Sequence, residues 1–346
     1  MLNYKLLSQQ PRLLLEVPLK PVQGDRFQPT GFADIGPAAY TRPSVDGKSG
    51  TPMLLVESAQ SVANRLEKTC LDGDGPNISP DLQGLPYVAA KLQGATPDAL
   101  ATSSLIEPHR LASPYFLRSD FGKSLESEMG YDGKGRLDWK RIYAVLFKYD
   151  PNSLVHGVFL SLLGDGRVRV PRALSGFIDA ENVVQATSGG VKNSPIDPKG
   201  EIQVAGRDAE KGVYSNVPYS RIEYVAEKIT AYFNLDLQQI RSYGLSEAAT
   251  NLLTTLSLLK IVRFLASDLR LRTACSFVLA GSVRATPADF SLPPEADLVS
   301  EVKRLIVDCK PFFADPPVHQ LEVAVTKTKK AAAPAKKAEE PADDDN

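Results

Sequence analysis

Arg26, Phe27 and Phe32 lie within one stretch, GDRFQPTGFADIGPAAY (Gly24 to Tyr40), set among Gly, Pro and Thr. A guanidinium is a planar fork of donors that fits a phosphate, and phenyl rings offer faces on which bases stack. Gln28 and Thr30 complete the candidate contact set, and Gly31 lets backbone approach closely. The competing reading has both rings plugging a core and Arg26 solvated. A second cluster, VESAQSVANRLE, crowds Ser58, Gln60, Ser61, Asn64 and Arg65 into the first turns of a helix. Unpaired N–H groups and the helix dipole attract phosphate there, although small polar residues at a helix start also serve as ordinary caps. A third, SLIEPHRLASPY, sets His109 and Arg110 on an otherwise apolar segment, where they are candidate surface contacts.

The elements that carry these clusters can be read from periodicity. PRLLLEVPLKPV is a strand, with Pro18 and Pro21 marking its end or a sheet edge. The loop after it is longer than a hairpin needs, which favours a binding surface. TPMLLVES is a second strand that runs into a helix, where Val62 and Leu66 keep helical spacing and Ser58 or Ser61 caps the start. LPYVAAKLQG is strand-like. Residues 104–129 read as helix in pieces, interrupted by Pro108 and Pro114. DWKRIYAVLFKY is a helix, and HGVFLSLL and RVRVPRALSGFI are strands joined by GDG. Thr187 to Asn216, rich in Gly and Lys, is a disordered loop or a projecting hairpin. SRIEYVAEKITAYFNLDL alternates as a strand. The longest helix candidate runs from Ser246 to Thr273, and EADLVSEVKRLIVDC is the last helix. Irregular interleaving of strands and helices makes the fold class α+β, with no internal repeat.

Enzyme signatures fail in turn. There is no G-x-x-x-x-G-K-S/T phosphate loop, no strand–GxGxxG–helix unit and no G-x-S-x-G elbow. LDGDGPNIS is a turn, because Pro76 and Asn77 stand where a calcium loop needs a ligand and a glycine. The three histidines, His109, His156 and His319, do not pair with a Cys or carboxylate at metal-ligand spacing, and His156 reads as a core or turn histidine. No cofactor and no metal ion are called for.

Composition sets the bounds. The 346 residues are 43% hydrophobic and 23% charged, ordinary for a soluble globular chain. Cys70, Cys275 and Cys309 are few and far apart, which fits free thiols in a cytoplasmic setting. Neither a signal peptide nor a membrane span is expected, since no run of about 18 uninterrupted apolar residues occurs. From Lys327 the chain becomes a low-complexity tail with five Lys and five acidic residues, expected to be disordered, while 1–326 forms one domain with insertions. Formal net charge is −1, with or without that tail, so any nucleic-acid site must be a local groove on a neutral body.

FQPTGFADIGPA, LLVESAQSVANRLE and the Gly/Lys-rich segment after LSGFIDAENV resemble, in this order, the backbone subunit of type I-G (formerly I-U) CRISPR effector complexes. That family is a branch of the RAMP superfamily, and the likeness runs over residues 10 to 320. It implies an RRM-like (ferredoxin-like) core and copies of the chain stacked in a helical filament along a guide RNA (crRNA). It also implies a projecting thumb hairpin, matched by residues 187–216, with Lys192, Asn193 and Arg207 as contacts. The implied partners are the guide, a target DNA strand paired to it and other subunits of the complex, with no membrane. The implied role is non-catalytic. The alternative is a target-RNA endonuclease like the backbone subunits of type III complexes, which cut with an Asp after the first strand, where Asp25 and Asp34 stand here. The strand motif with which RRM proteins read bases is missing, so the resemblance implies a grip on the backbone, with sequence read by pairing.

Overall fold

Alternation of buried and exposed side chains makes strand β1 (Arg12–Pro21), whose Leu13, Leu15, Val17 and Leu19 enter the core. The computed structural model describes residues 2–32, 35–44, 47, 49–94, 100–131, 133–199 and 216–325. A short helix, α1 (Tyr4–Ser8), precedes β1. Four short strands follow, β2 (Arg26–Phe27), β3 (Gly31–Phe32), β4 (Gly36–Pro37) and β5 (Ala39–Pro43). Then β6 (Gly50–Glu57) runs directly into α2 (Ala59–Lys68). Strands β7 (Tyr87–Gln93) and β8 (Leu100–Ser103) lead to four helices, α3 (Pro114–Leu117), α4 (Asp120–Met129), α5 (Trp139–Tyr149) and α6 (Pro151–His156). A small hairpin, β9 (Val158–Phe159) and β10 (Arg169–Val170), opens onto the two longest strands, β11 (Leu174–Asn193) and β12 (Asn216–Asp236). Helices α7 (Leu237–Ser242) and α8 (Glu247–Ala266) follow, then β13 (Arg270–Arg272), β14 (Cys275–Leu279), β15 (Arg284–Thr286), α9 (Glu295–Cys309) and β16 (Val318–Ala324).

The main sheet has the order β13-β14-β1-β12-β11-β6-β5, with β15 beside β1 and β2 beside β12. Every pairing in it is antiparallel, so the fold is α+β. Helices α2, α6 and α8 pack on β11 and β12. Helix α8 is apolar on nearly all sides because it is the middle of the core. Its length and composition would suit a membrane span, yet 72% of its most apolar window is buried inside the protein. Its buried hydroxyls on Thr254, Thr255 and Ser257 each donate to a carbonyl four residues back. Strand β16 lies parallel to β7 in a separate sheet with β8.

Several expectations need correction. Pro18 marks neither an end nor an edge: β1 is central, paired to β12 on one side and to β15 and β14 on the other. Proline is tolerated because it falls in the gap between the β15 and β14 pairings, where its carbonyl accepts from Ala280 N–H at 2.8 Å. Pro114 starts α3 rather than breaking a helix, a position where the missing N–H has no intrahelical partner to lose. The long helix ends at Ala266, and Arg270–Arg272 form β13 instead. LDGDGPNIS is the turn expected of it, closed by the Leu71–Ile78 bridge.

Candidate nucleic-acid interface

Beyond Glu181, where β6 stops pairing, and Tyr224, where β2 stops, β11 and β12 pair only with each other among the described strands. The flanks of the Gly/Lys-rich segment are therefore ordered ribbon, reaching the Asn193–Asn216 pair. Its side chains are unusual for a solvated hairpin. Val184, Val191, Val217, Tyr219 and Ile222 are all exposed, and exposed apolar groups clustered on a projection mark a contact surface.

Register sorts the ribbon's residues by face, since opposed residues share a face and every second residue returns to it. Arg26 opposes Val225, Ala186 opposes Glu223, Ser188 opposes Arg221, Gly190 opposes Tyr219 and Lys192 opposes Val217. One face thus carries Arg26, Glu223, Arg221, Tyr219 and Lys192 in line. Glu223 is nearly buried and stands 3.7 Å from Arg26 and 3.8 Å from Arg221, and its Oε2 accepts from Ser188 Oγ at 3.0 Å. Two cations share one carboxylate, which leaves one positive charge in excess. Lys192 is exposed and makes no ion pair with any described residue, and Asn193 is exposed beside it. Tyr219 is 57% exposed, and a Cβ placed on Gly190 would stand 3.0 Å from its hydroxyl oxygen and 3.1 to 3.2 Å from its ring atoms. The ring lies across the bare glycine as an open aromatic surface.

Facing the ribbon is the loop after β1. Gln28, Pro29, Thr30, Gly31, Gly36 and Pro37 line one side of a cleft of about 790 Å³, with Tyr219 to Ile222 and Arg272 on the other. Backbone bonds fix the loop: Gln28 N–H donates to Ala274 O at 2.8 Å and Thr30 N–H to Val56 O at 2.9 Å. Gly31 is needed because a Cβ there would stand 3.0 Å from the Gly36 carbonyl oxygen in the β3–β4 hairpin. The close approach expected at Gly31 is made by the chain itself.

Other sequence-predicted residues divide sharply. Phe27 is fully buried and meets Phe277 edge to face at 5.6 Å, so it offers no face to a base. Arg65 is a structural residue. Its Nε donates to Glu57 Oε1 at 2.9 Å, and its other nitrogens reach the Arg270 and Leu271 carbonyls. Burial lowers its guanidinium from the ordinary value. Glu57 is fully buried and is also paired with Arg272, which donates in turn to the Gln28 and Val56 carbonyls at 3.2 and 3.1 Å. This node holds the cleft loop against β6 and β13. Ser58 caps α2, accepting from Ser61 N–H at 3.3 Å, while Ser61 Oγ donates to Glu57. Gln60 donates to Asn64 at 3.0 Å and accepts from Arg172. The start of α2 is thus capped and bonded by the chain itself, supporting the cleft from behind.

Arg110 is likewise withdrawn. It forks onto Glu67, with Nη2 at 2.9 Å from Oε2, and donates to the Gly157 carbonyl; its backbone stands at φ 53°. His109 beside it is exposed. His156 is a buried histidine only half satisfied, with Nε2 2.8 Å from buried Lys260 Nζ. Asp25 is exposed, and the described residues hold no group of three His, Cys, Asp or Glu suited to a metal. The Phe32 side chain, Asp34 and Arg207 lie outside the described residues. Tyr219, Arg221 and Glu223 were missed by sequence reasoning; their only signal was the alternation that SRIEYVAE begins.

Residues 13–185, half of the chain, match the family model described as CRISPR-associated protein GSU0053 (Cas_GSU0053). The chain belongs to this CRISPR-associated family. That match covers the loop, α2 and most of β11, three of the parts that build the cleft and its support in this CRISPR-associated protein. No curated protein matches the sequence. Among solved structures, a chain titled "CRISPR RNA-guided surveillance complex, pre-nicking" is similar over 87% of this chain and 89% of its own, at 11% identity and a TM-score of 0.39. Csc2 of Thermofilum pendens is similar over 87% of this chain and 76% of its own, at 10% identity and a TM-score of 0.29.

Proposed function

We propose that the chain is a guide-RNA-binding backbone subunit of a CRISPR effector complex of the type I-G branch, working in the cytoplasm. Family membership supplies the setting. The observation that carries the reading is the ribbon face, where Arg26 and Arg221 straddle Glu223 beside the open ring of Tyr219 and above the loop from Gln28 to Pro37. A cationic groove with a stacking ring suits single-stranded RNA held without regard to sequence. The ribbon acts as the thumb, and its exposed valines and Ile222 meet a neighbouring copy or another subunit along the guide. Target DNA is then recognised by pairing to the guide.

The subunit holds RNA and does not cut it. Phosphodiester hydrolysis needs a positioned base or a metal clamp, and exposed Asp25 is bonded to none of the described residues. The absorbance ratio of the purified protein tests the binding. Co-purified RNA raises the nucleic-acid maximum, and nuclease treatment removes the excess; a preparation free of nucleic acid under all conditions overturns the reading.

A further inference from the structure

We propose that a second nucleic-acid surface lies at the foot of the long hairpin, built from Arg136, Trp139, Phe159, Arg167 and Arg169, and that it holds the target DNA strand where that strand runs past the guide. The proposal rests on the reading of the chain as a guide-binding subunit. Residues 130–172 carry eight Lys and Arg against four Asp, a local excess of four in a chain whose net charge is −1. The segment folds into two loops that touch, since a Cβ on Gly133 would stand 3.1 Å from Gly164 Cα. Between them opens a cleft of about 710 Å³ lined by Arg136, Leu137, Asp138, Trp139 and Arg167.

The cations are presented outward. Val168 and Val170 are buried, so Arg167 and Arg169 stand together on the exposed side of the run. Arg169 lies 5.3 Å over the ring of Phe159, which is 47% exposed. Neither Arg136 nor Arg169 is paired with a described acid. Three described carboxylates are near: Asp165 pairs with Arg167, Asp138 caps α5 by accepting from Arg141 N–H at 3.1 Å, and Glu126 accepts from Gly164 N–H. Free guanidinium groups beside aromatic rings are the elements that hold single-stranded nucleic acid.

No single nucleotide reaches both this patch and the Tyr219–Arg221 end of the first cleft. The patch's last residue, Arg169, comes shortly before Leu174 at the foot of β11, whereas Arg221 is paired with Ser188. Fourteen extended residues separate Leu174 from Ser188, roughly 45 Å at about 3.3 Å each.

The test uses the assembled complex with the double variant Arg136→Glu/Arg169→Glu and with Arg136→Gln/Arg169→Gln, both checked by thermal melting. Two DNA targets are compared, one trimmed to the guide-matched segment and one with single-stranded DNA extending beyond it. The expected result is unchanged guide content, unchanged affinity for the trimmed target and weakened binding of the extended one. In the Gln variant the salt slope for the extended target should flatten by about 1.4, for two lost phosphate contacts. Equal binding of both targets by variant and wild type overturns the second surface, and so does loss of guide from the variants, which places the patch on the guide path. A wild-type complex without guide RNA overturns the guide-binding reading instead.

Discussion

Arg26 and Glu223 stand 3.7 Å apart across neighbouring strands, and Arg221 reaches the same carboxylate from the opposite side at 3.8 Å. The distances are loose for ion pairs and the arginines are partly solvated, so the carboxylate holds them in place without saturating them. An arriving phosphate finds oriented donors.

Arg26→Ala, Arg221→Ala and Lys192→Ala should each weaken guide retention for all sequences alike. Each should flatten the salt dependence by about 0.7, the value for one phosphate contact on a single strand. Glu223→Gln should act in the opposite direction, tightening binding by removing the competing charge. Salt-series binding assays with a guide and a scrambled guide check all four, and stability should change by no more than about 0.5 kcal/mol for exposed Arg26 and Lys192.

Tyr219→Ala should lose about 1 to 3 kcal/mol of binding, the value of one stacked base, while Tyr219→Phe should retain most of it. Competition binding against wild type measures the difference. Phe27→Ala, by contrast, should lower the melting temperature, because it removes a fully buried ring packed on Phe277 and costs about 3 to 5 kcal/mol of stability.

Arg65→Ala should also show itself as a loss of stability. Arg65 is one of two guanidinium partners of fully buried Glu57, and Arg272 remains, so the loss should be about 1 to 3 kcal/mol. Chemical denaturation of the RNA-free protein reads this directly, and the slope of guide binding against salt should not change.

These contrasts show what the sequence made legible. β1, β6 and the Ser58-capped α2 were readable because each signal is local: alternation, helical spacing, a cap. The fate of Phe27 was not, because the ring that buries it, Phe277, comes from a strand 250 residues later in the chain. Tyr219 was hidden for a different reason. A ribbon exposed on both faces has no buried side, so the period-2 contrast that reveals strands is absent there. Arg65 and Arg110 looked like binding residues because charge is visible in sequence, whereas Glu57 and Glu67, which engage them, are identified only by packing.

The pH dependence of stability should report the buried cluster beneath α6. Burial pushes the Asp150 carboxyl up to about 6, and burial together with the Lys260 charge pushes His156 well below its ordinary value. The folded state therefore keeps the Asp150 proton more tightly than the unfolded chain does. That contribution is present in acid and is lost as pH rises from about 4 to about 6. His156 works oppositely, reducing stability as pH falls below about 6.5. Asp150→Asn removes only the first effect. Relative to wild type it should gain, on the order of 3 kcal/mol, between pH 4 and 7 in denaturant titrations.

Ultraviolet crosslinking of the RNA-loaded protein, followed by mapping of the modified peptides, tests the central claim most directly. The account predicts crosslinks at Tyr219 and within Gln28 to Pro37, lost in the Arg26→Ala/Arg221→Ala variant. Crosslinks confined to the opposite face of the sheet, around the stacked Phe177 and Tyr232, would contradict it.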